Sequence, residues 1–286
     1  MNTMMKTATT ACALGALAWS APAVAQDRIH EDFELTLVSE FGLLSTVSNK
    51  LQQGTDGTYF DYVEDGDDEL FNPFLRLSVE ALFAGRHNVT FLYQPLQLTG
   101  RARLQRDVVI NDATFADGTP IEWRYGFDFY RMTYEYNLFD TENFLLGLGG
   151  GFQMRIAEND FITRDMTLSR NSRNLGPVPL LKVRAEYRLP SGWWFGTEID
   201  GFYAAVRILN GDLDTEIIGG VVDASLRAGK QLRPGLDAFL NLRFVGGGSE
   251  GTSPTQAELR PGDGYTRNWA GFASVSLGFR FDPSTL

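Results

Sequence analysis

Beyond residue 25, hydrophobic and polar residues alternate with a period of two along most of the chain, and helical periodicity is nearly absent. A strand points successive side chains to opposite faces, so this pattern predicts strands with one apolar and one polar face. Leu75, Leu77, Val79, Ala81 and Phe83 alternate with Arg76, Ser78 and Glu80. Leu181, Val183, Ala185, Tyr187 and Leu189 alternate with Lys182, Arg184, Glu186 and Arg188. Leu236, Ala238, Leu240, Leu242 and Phe244 alternate with Asp237, Asn241 and Arg243. About ten strands are predicted, over 33–44, 70–84, 88–105, 121–139, 144–156, 177–189, 193–207, 215–232, 236–245 and 267–281. Eight or twelve stay open, twelve if a long loop holds a hairpin. The phase of the alternation changes near Pro95 and near Phe129 and Tyr130, which predicts a β-bulge at each place.

The connections sharpen the picture. Tight turns at 85–87, 140–143, 190–192 and 233–235 alternate with mostly longer connections at 45–69, 106–120, 157–176, 208–214 and 246–266. Short turns at one end and longer loops at the other are the mark of an antiparallel up-and-down transmembrane β-barrel. No apolar run approaches the ~20 residues of a membrane helix. Mean hydropathy is slightly negative, which suits strands with a polar inward face. Phe83, Phe139, Phe144, Tyr187, Trp193 and Trp194 fall beside the tight turns. Trp123, Tyr125, Tyr203, Tyr265 and Trp269 fall toward the long loops. Two such sets predict two interfacial girdles. A soluble sandwich or lipocalin-like barrel would use aromatics as core, with no reason to collect them at strand ends. The fold class is therefore all-β, a transmembrane barrel.

Residues 1–25 read as a secretory signal peptide, with Lys6, an apolar stretch from Ala11 to Trp19, and Ala23-Val24-Ala25 before the cut. Residues 26–286 then form one barrel domain that starts at Gln26. Cys12 leaves with the signal, so the processed chain has no cysteine for disulfides, thiol catalysis or thiolate metal sites. The formal charge of -11 argues against a nucleic-acid partner.

The last strand runs Trp269 to Phe281, with Val275, Leu277, Phe279 and Phe281 on its outward face. This ending, the turn parity and the signal peptide resemble those of bacterial outer-membrane β-barrel proteins as a class. The resemblance implies an integral outer-membrane location and contact with outer-membrane lipids and lipopolysaccharide. It also implies recognition of the closing strand as an assembly signal by the barrel-assembly machinery. The chain departs from that ending in one respect: Asp282, Pro283, Ser284, Thr285 and Leu286 follow the aromatic. Turn parity puts both termini on the periplasmic side.

Charged residues on the predicted inward face carry both signs. They are Arg76, Glu80, Gln97 (polar), Arg101, Arg103, Glu122, Arg124, Asp128, Arg131 and Glu135. Later strands add Lys182, Arg184, Glu186, Arg188, Glu198, Asp200, Asp223, Arg227, Asp237, Arg243 and Arg280. In a narrow barrel, arginine forks and carboxylates can pair across the lumen. Mixed signs favour a plug, because a selective conduit usually favours one sign.

The two histidines, His30 and His87, fall before the first strand and in a tight turn. Neither reaches the external half of the barrel, where hydrolases of this membrane keep a histidine base. A carboxylate-dependent envelope lipid or protein hydrolase stays as an alternative. Asp61, Glu64, Asp65, Asp67, Asp68 and Glu69 surround Gly66 in the first long loop. Calcium is a weak option there, because the spacing is not that of an EF-hand. An acidic, hydrated loop tip fits better, with bridging to lipopolysaccharide through divalent cations as a further option. Neighbouring Tyr59, Phe60 and Tyr62 suit a contact surface for an extracellular ligand, with packing on the barrel rim as the alternative. No helix follows Gly147, Gly149, Gly150 and Gly151, so they make room for large side chains opposite. The sequence thus points to a non-enzymatic barrel with a structural or surface-interaction role. A narrow channel for small solutes is the alternative. N-terminal sequencing of the exported protein is expected to begin at Gln26; a start elsewhere, or an uncleaved chain, would contradict the signal-peptide reading.

Overall fold

The computed structural model describes residues 33–205, 218–252 and 262–285. The signal segment, Gln26, His30 and the 208–214 connection lie outside them. Strands β1 (Phe33–Gln53), β3 (Asn72–Phe83), β4 (His87–Gln94) and β5 (Gln97–Arg103) begin the wall. It continues through β8 (Pro120–Asp140), β9 (Phe144–Thr163), β10 (Ser169–Arg188), β11 (Trp193–Ala205), β12 (Ile218–Arg233), β13 (Leu236–Thr252) and β14 (Tyr265–Phe281). All neighbours pair antiparallel, and β14 pairs with β1, which closes the sheet. Since β4 and β5 both pair with β8 in succession, they form one stave, and the barrel has ten. Three short strands lie off the wall: β2 (Phe60–Asp61) against β1, and the hairpin β6 (Val108–Ile110) and β7 (Ala113–Phe115). A long loop does hide a hairpin, but it forms a separate two-stranded sheet.

The staves are longer than the alternation indicated. β1 continues nine residues past Leu44, β9 runs to Thr163, and β10 starts at Ser169. The 157–176 connection thus shrinks to the turn between β9 and β10. A 21-residue strand spans about 70 Å, whereas a membrane crossing takes about 9–11 residues. Outward side chains divide accordingly. Toward the short turns they are apolar on every stave, including Phe41, Phe91, Met132, Phe152, Leu181, Phe195, Leu226, Leu240 and Leu277, all exposed. An exposed apolar band around a whole barrel requires a hydrocarbon surrounding. Toward the long loops the outward face of β5 and upper β8 turns polar, as a wall does where it leaves the lipid.

This boundary corrects two expectations. Gln94 faces Phe129 and Gln97 faces Gly126, so both strands advance three residues between those pairs and neither carries an inserted one. Pro95 only interrupts the ladder, and the Asp128 side chain accepts the N–H of Leu96 at 3.1 Å. Along β8, every buried residue from Ile121 to Asn137 is odd-numbered and the register with β9 is unbroken there, so no bulge occurs at Phe129 and Tyr130 either. The polarity inverts because the surroundings change, not the backbone. Bulges do occur at Thr46/Ser48, Asn137/Phe139 and Gln231/Arg233. The first flips the parity of β1, so Asn49, Leu51 and Gln53 are buried beyond it.

The girdle residues Phe83, Phe139, Phe144, Tyr187 and Trp193 are exposed beside the short turns, and Tyr203 is exposed on the outer wall. Trp194, Trp123 and Tyr125 instead point inward and are buried. Placing arginine at Leu240 or Leu277 is expected to cost about 2–4 kcal/mol near the membrane midplane. Arg101→Ala, above the band, should stay within about 0.5 kcal/mol. Urea titration of folding into lipid vesicles, read by tryptophan fluorescence, checks the contrast.

Candidate functional site

The band-level lumen is filled by one connected set of charges. Arg131 reaches Asp200 at 2.6 Å and Asp223 at 2.8 Å. Arg243 grips Asp223 with two nitrogens and donates to Gln94 at 2.6 Å. Lys182 bridges Glu198 at 2.7 Å and Asp200 at 3.6 Å. Glu40 on β1 takes Arg76 at 3.8 Å and Arg227 at 3.6 Å, plus hydrogen bonds from Asn241 and Ser276. Arg76 and Arg227 both also face Glu198. Nearer the short turns, Arg184 pairs with Glu80 at 3.0 Å, while Arg280 and Arg188 hold Glu186 at 3.1 Å and 2.8 Å. Arg131 and Asp200 are 3% and 1% exposed. Desolvating such ions costs about as much as their pairing returns. The network's clearest product is therefore the register of the facing walls.

Glu135 stands apart. It is buried, yet neither carboxylate oxygen has a hydrogen-bond partner among the described residues. Its carboxylate lies flat against Gly147 of β9: a Cβ there would come within 2.5 Å of it. Gly147 thus makes room for a large neighbour, as expected. Below this level, a cavity of about 400 Å³ occupies the short-turn end, walled by residues including Glu80, Asn137, Arg184, Arg188, Trp194 and Arg280.

The long-loop end is closed differently, by an apolar core inside the barrel. Leu51, Phe60, Tyr62, Leu98, Ile110, Phe115, Trp123, Tyr125 and Phe161 belong to one buried cluster, joined by Phe272 of β14. Tyr62 meets Trp123 edge-on at 4.9 Å, and Phe60 meets Phe161 at 5.0 Å. Trp123 needs Gly100 on the adjacent strand, where a Cβ would come within 2.3 Å of its ring. Its indole N–H donates to the Gly66 carbonyl at 2.6 Å. Tyr62 donates to Asn159 at 3.0 Å, and burial raises its phenol well above the usual range. The hairpin β6–β7 seals this core, tied to the first loop by Thr58 to Val109 and Asn111 to Gln53 backbone bonds.

The acidic first loop serves local structure. Asp61 caps the N–H groups of Val63 and Glu64 and pairs with Lys50 at 3.0 Å. Asp65 holds Arg106 at 2.7 Å. Burial raises the Asp68 carboxyl, whereas the Thr55 hydroxyl holds that of Asp263 below its usual range. Glu64, Asp67 and Glu69 are exposed, and Tyr59 stacks under Arg267 at 4.9 Å.

Among the expected lumen residues, Arg76, Glu80, Arg131, Glu135, Lys182, Arg184, Glu186, Arg188, Glu198, Asp200, Asp223, Arg227, Asp237, Arg243 and Arg280 do face inward. Gln97, Arg101, Arg103, Glu122, Arg124 and Asp128 do not: they share the outward parity of β5 and upper β8. Arg101 pairs with Glu122 on the outer wall with its side chain 81% exposed. Their polarity was read as lumen-facing on the assumption of lipid outside. Val275, Leu277 and Phe279 face outward as expected. Glu40 was missed, because β1 otherwise turns Val38, Gly42 and Leu44 inward. The histidine His87 sits on the outer surface, its Nδ1 2.8 Å from the Tyr134 hydroxyl.

No family model and no curated protein matches the chain. Solved structures do. The outer membrane protease OmpT of Escherichia coli aligns with 89% of this chain and 99% of its own, at 9% identity and TM-score 0.54. OprG of Pseudomonas aeruginosa aligns with 88% and 97%, at 11% identity and TM-score 0.34. Ail, the attachment invasion locus protein of Yersinia pestis, aligns with 87% and 99%, at 10% identity and TM-score 0.34. The fold is that of the bacterial outer-membrane β-barrels. Asp223→Ala would leave Arg243 without its carboxylate and Arg131 with Asp200 alone, and is expected to cost about 3–5 kcal/mol. Glu122→Gln, at an exposed pair, should cost less than about 1 kcal/mol. Equilibrium unfolding of both variants checks the difference.

Proposed function

We propose that this chain is a non-enzymatic protein of a bacterial outer membrane whose barrel is a closed pedestal for the surface at its long-loop end. The observation that carries the reading is the double closure: paired charges at band level and an apolar core at the mouth. A conduit needs neither. A pedestal benefits from both, because they hold the wall rigid where it stands beyond the lipid. The long-loop end then faces the medium, with both termini periplasmic, as short-turn and long-loop parity supports. Rim groups such as Arg106, Arg170, Asp112 and the Thr55 to Asp263 contact form a polar surface suited to an extracellular ligand or to lipopolysaccharide.

Planar-bilayer recording is expected to show little conductance for the wild type. Large, steady wild-type openings would overturn the closed-pedestal reading in favour of a channel. A cysteine at Thr55 should react with an impermeant maleimide on intact cells, and one at Ser191 should not; the reverse would invert the orientation. Hydrolysis of envelope lipid or peptide by the purified barrel would replace the reading with an enzyme.

A further inference from the structure

The short-turn end carries a feature that a plug does not require. Among the described residues, the cavity there is lined by seven carboxylates and three guanidinium groups. The three arginines are already engaged: Arg184 with Glu80, Arg188 with Asp140 and Arg280 with Glu186. The well is therefore electronegative, and Glu142 and Asp282 contribute from the turns that frame it.

Its floor shows what the charge is for. Asn137 lines the cavity, is 3% exposed, and has a side-chain oxygen without a hydrogen-bond partner. Glu135, the next inward residue of β8, is 1% exposed and has both oxygens without one. It lies directly across the ladder from Asn88, which also lines the cavity. Buried acceptors left unmade are costly, more so when charged. The Glu135 carboxylate leans against Gly147, which faces Asn137 across the β8–β9 ladder, so the three acceptor atoms lie near one another just behind the cavity wall and call for a group that only donates. An ammonium has three N–H donors and no acceptor, and its charge matches the well. Among the described residues no trio of acidic, histidine or cysteine side chains could hold a metal ion. Leu82, Leu145 and the Trp194 ring supply apolar wall for methylene groups. A volume of about 400 Å³ lies in the range of small-ligand sites.

We propose that this cavity binds a primary aliphatic diamine or polyamine, with one ammonium received at Asn137 and Glu135 and a second among the acids nearer the opening. The proposal stands whatever the long-loop end contacts.

The test is isothermal titration of the purified full barrel in zwitterionic detergent with putrescine and with spermidine. Saturable binding near one per barrel is expected, weakened at least tenfold by Glu135→Gln and by Asn137→Leu. The double variant Glu142→Gln with Asp282→Asn should weaken spermidine several-fold. It lies in turns outside the buried network, so it keeps the test decisive if a floor variant fails to fold, as judged by heat-modifiable gel mobility. Glu122→Gln on the outer wall should change nothing. Absence of saturable binding by either amine would overturn the proposal. So would unchanged affinity in the folded floor variants or, should those not fold, in the double variant. Magnesium binding with the same dependence on Glu135 would replace it with a metal site.

Discussion

A strand in hydrocarbon has no water to satisfy its backbone, so every N–H and C=O of the band must find a neighbouring strand. Pairing of β1 with β14, from Leu37 with Phe281 to Gln53 with Thr266, is the contact that removes the last open edge. Everything else is conditional on it. Closure makes each residue either inward or outward, and ten staves leave an interior too narrow for unpaired charge to hydrate freely. Most of the charges that parity sends inward then have one another as partners, Glu135 excepted. Glu40 on β1 shows the dependence directly. Its four partners come from β3, β12, β13 and β14, and they converge only in a closed ring.

The interior changes character along its axis. At band level the wall is apolar outside and charged inside; beyond the band it is polar outside and apolar inside. Lipid and water reward opposite outward faces, and a barrel that passes from one to the other inverts its pattern without changing its geometry. Mid-wall, Phe129 and the Arg131 guanidinium 5.6 Å from its ring mark the transition.

That inversion decides how much was legible from sequence. β10 to β14 were read correctly inside the band, because an alternating stretch such as Lys182 to Arg188 has a single interpretation once lipid lies outside. Arg101, Arg103 and Arg124 were misassigned because alternation reports two faces without saying which is inward. The reading of β1 stopped at Leu44 because the bulge at Thr46/Ser48 scrambles the period just where the strand continues. Trp123 reads locally as a girdle residue, but its pocket depends on Gly100 and Gly66, which lie far off in sequence and carry no local signal. The unpartnered oxygens of Glu135 carry no sequence signal either: only three-dimensional placement shows which carboxylates lack a hydrogen bond.

The mouth core also sets the order in which the molecule can form. Its members come from both extremes of the described chain, Leu44 and Leu51 from β1 and Phe272 from β14, with the β6–β7 hairpin between them. Contacts so distant along the chain carry a large loop-closure cost and form late. The apolar residues of the mouth therefore stay without their full complement until the final strand has zipped against the first. Sealing of the mouth is a kinetic consequence of closing the wall, so a half-assembled barrel remains an open one, with an apolar interior still exposed.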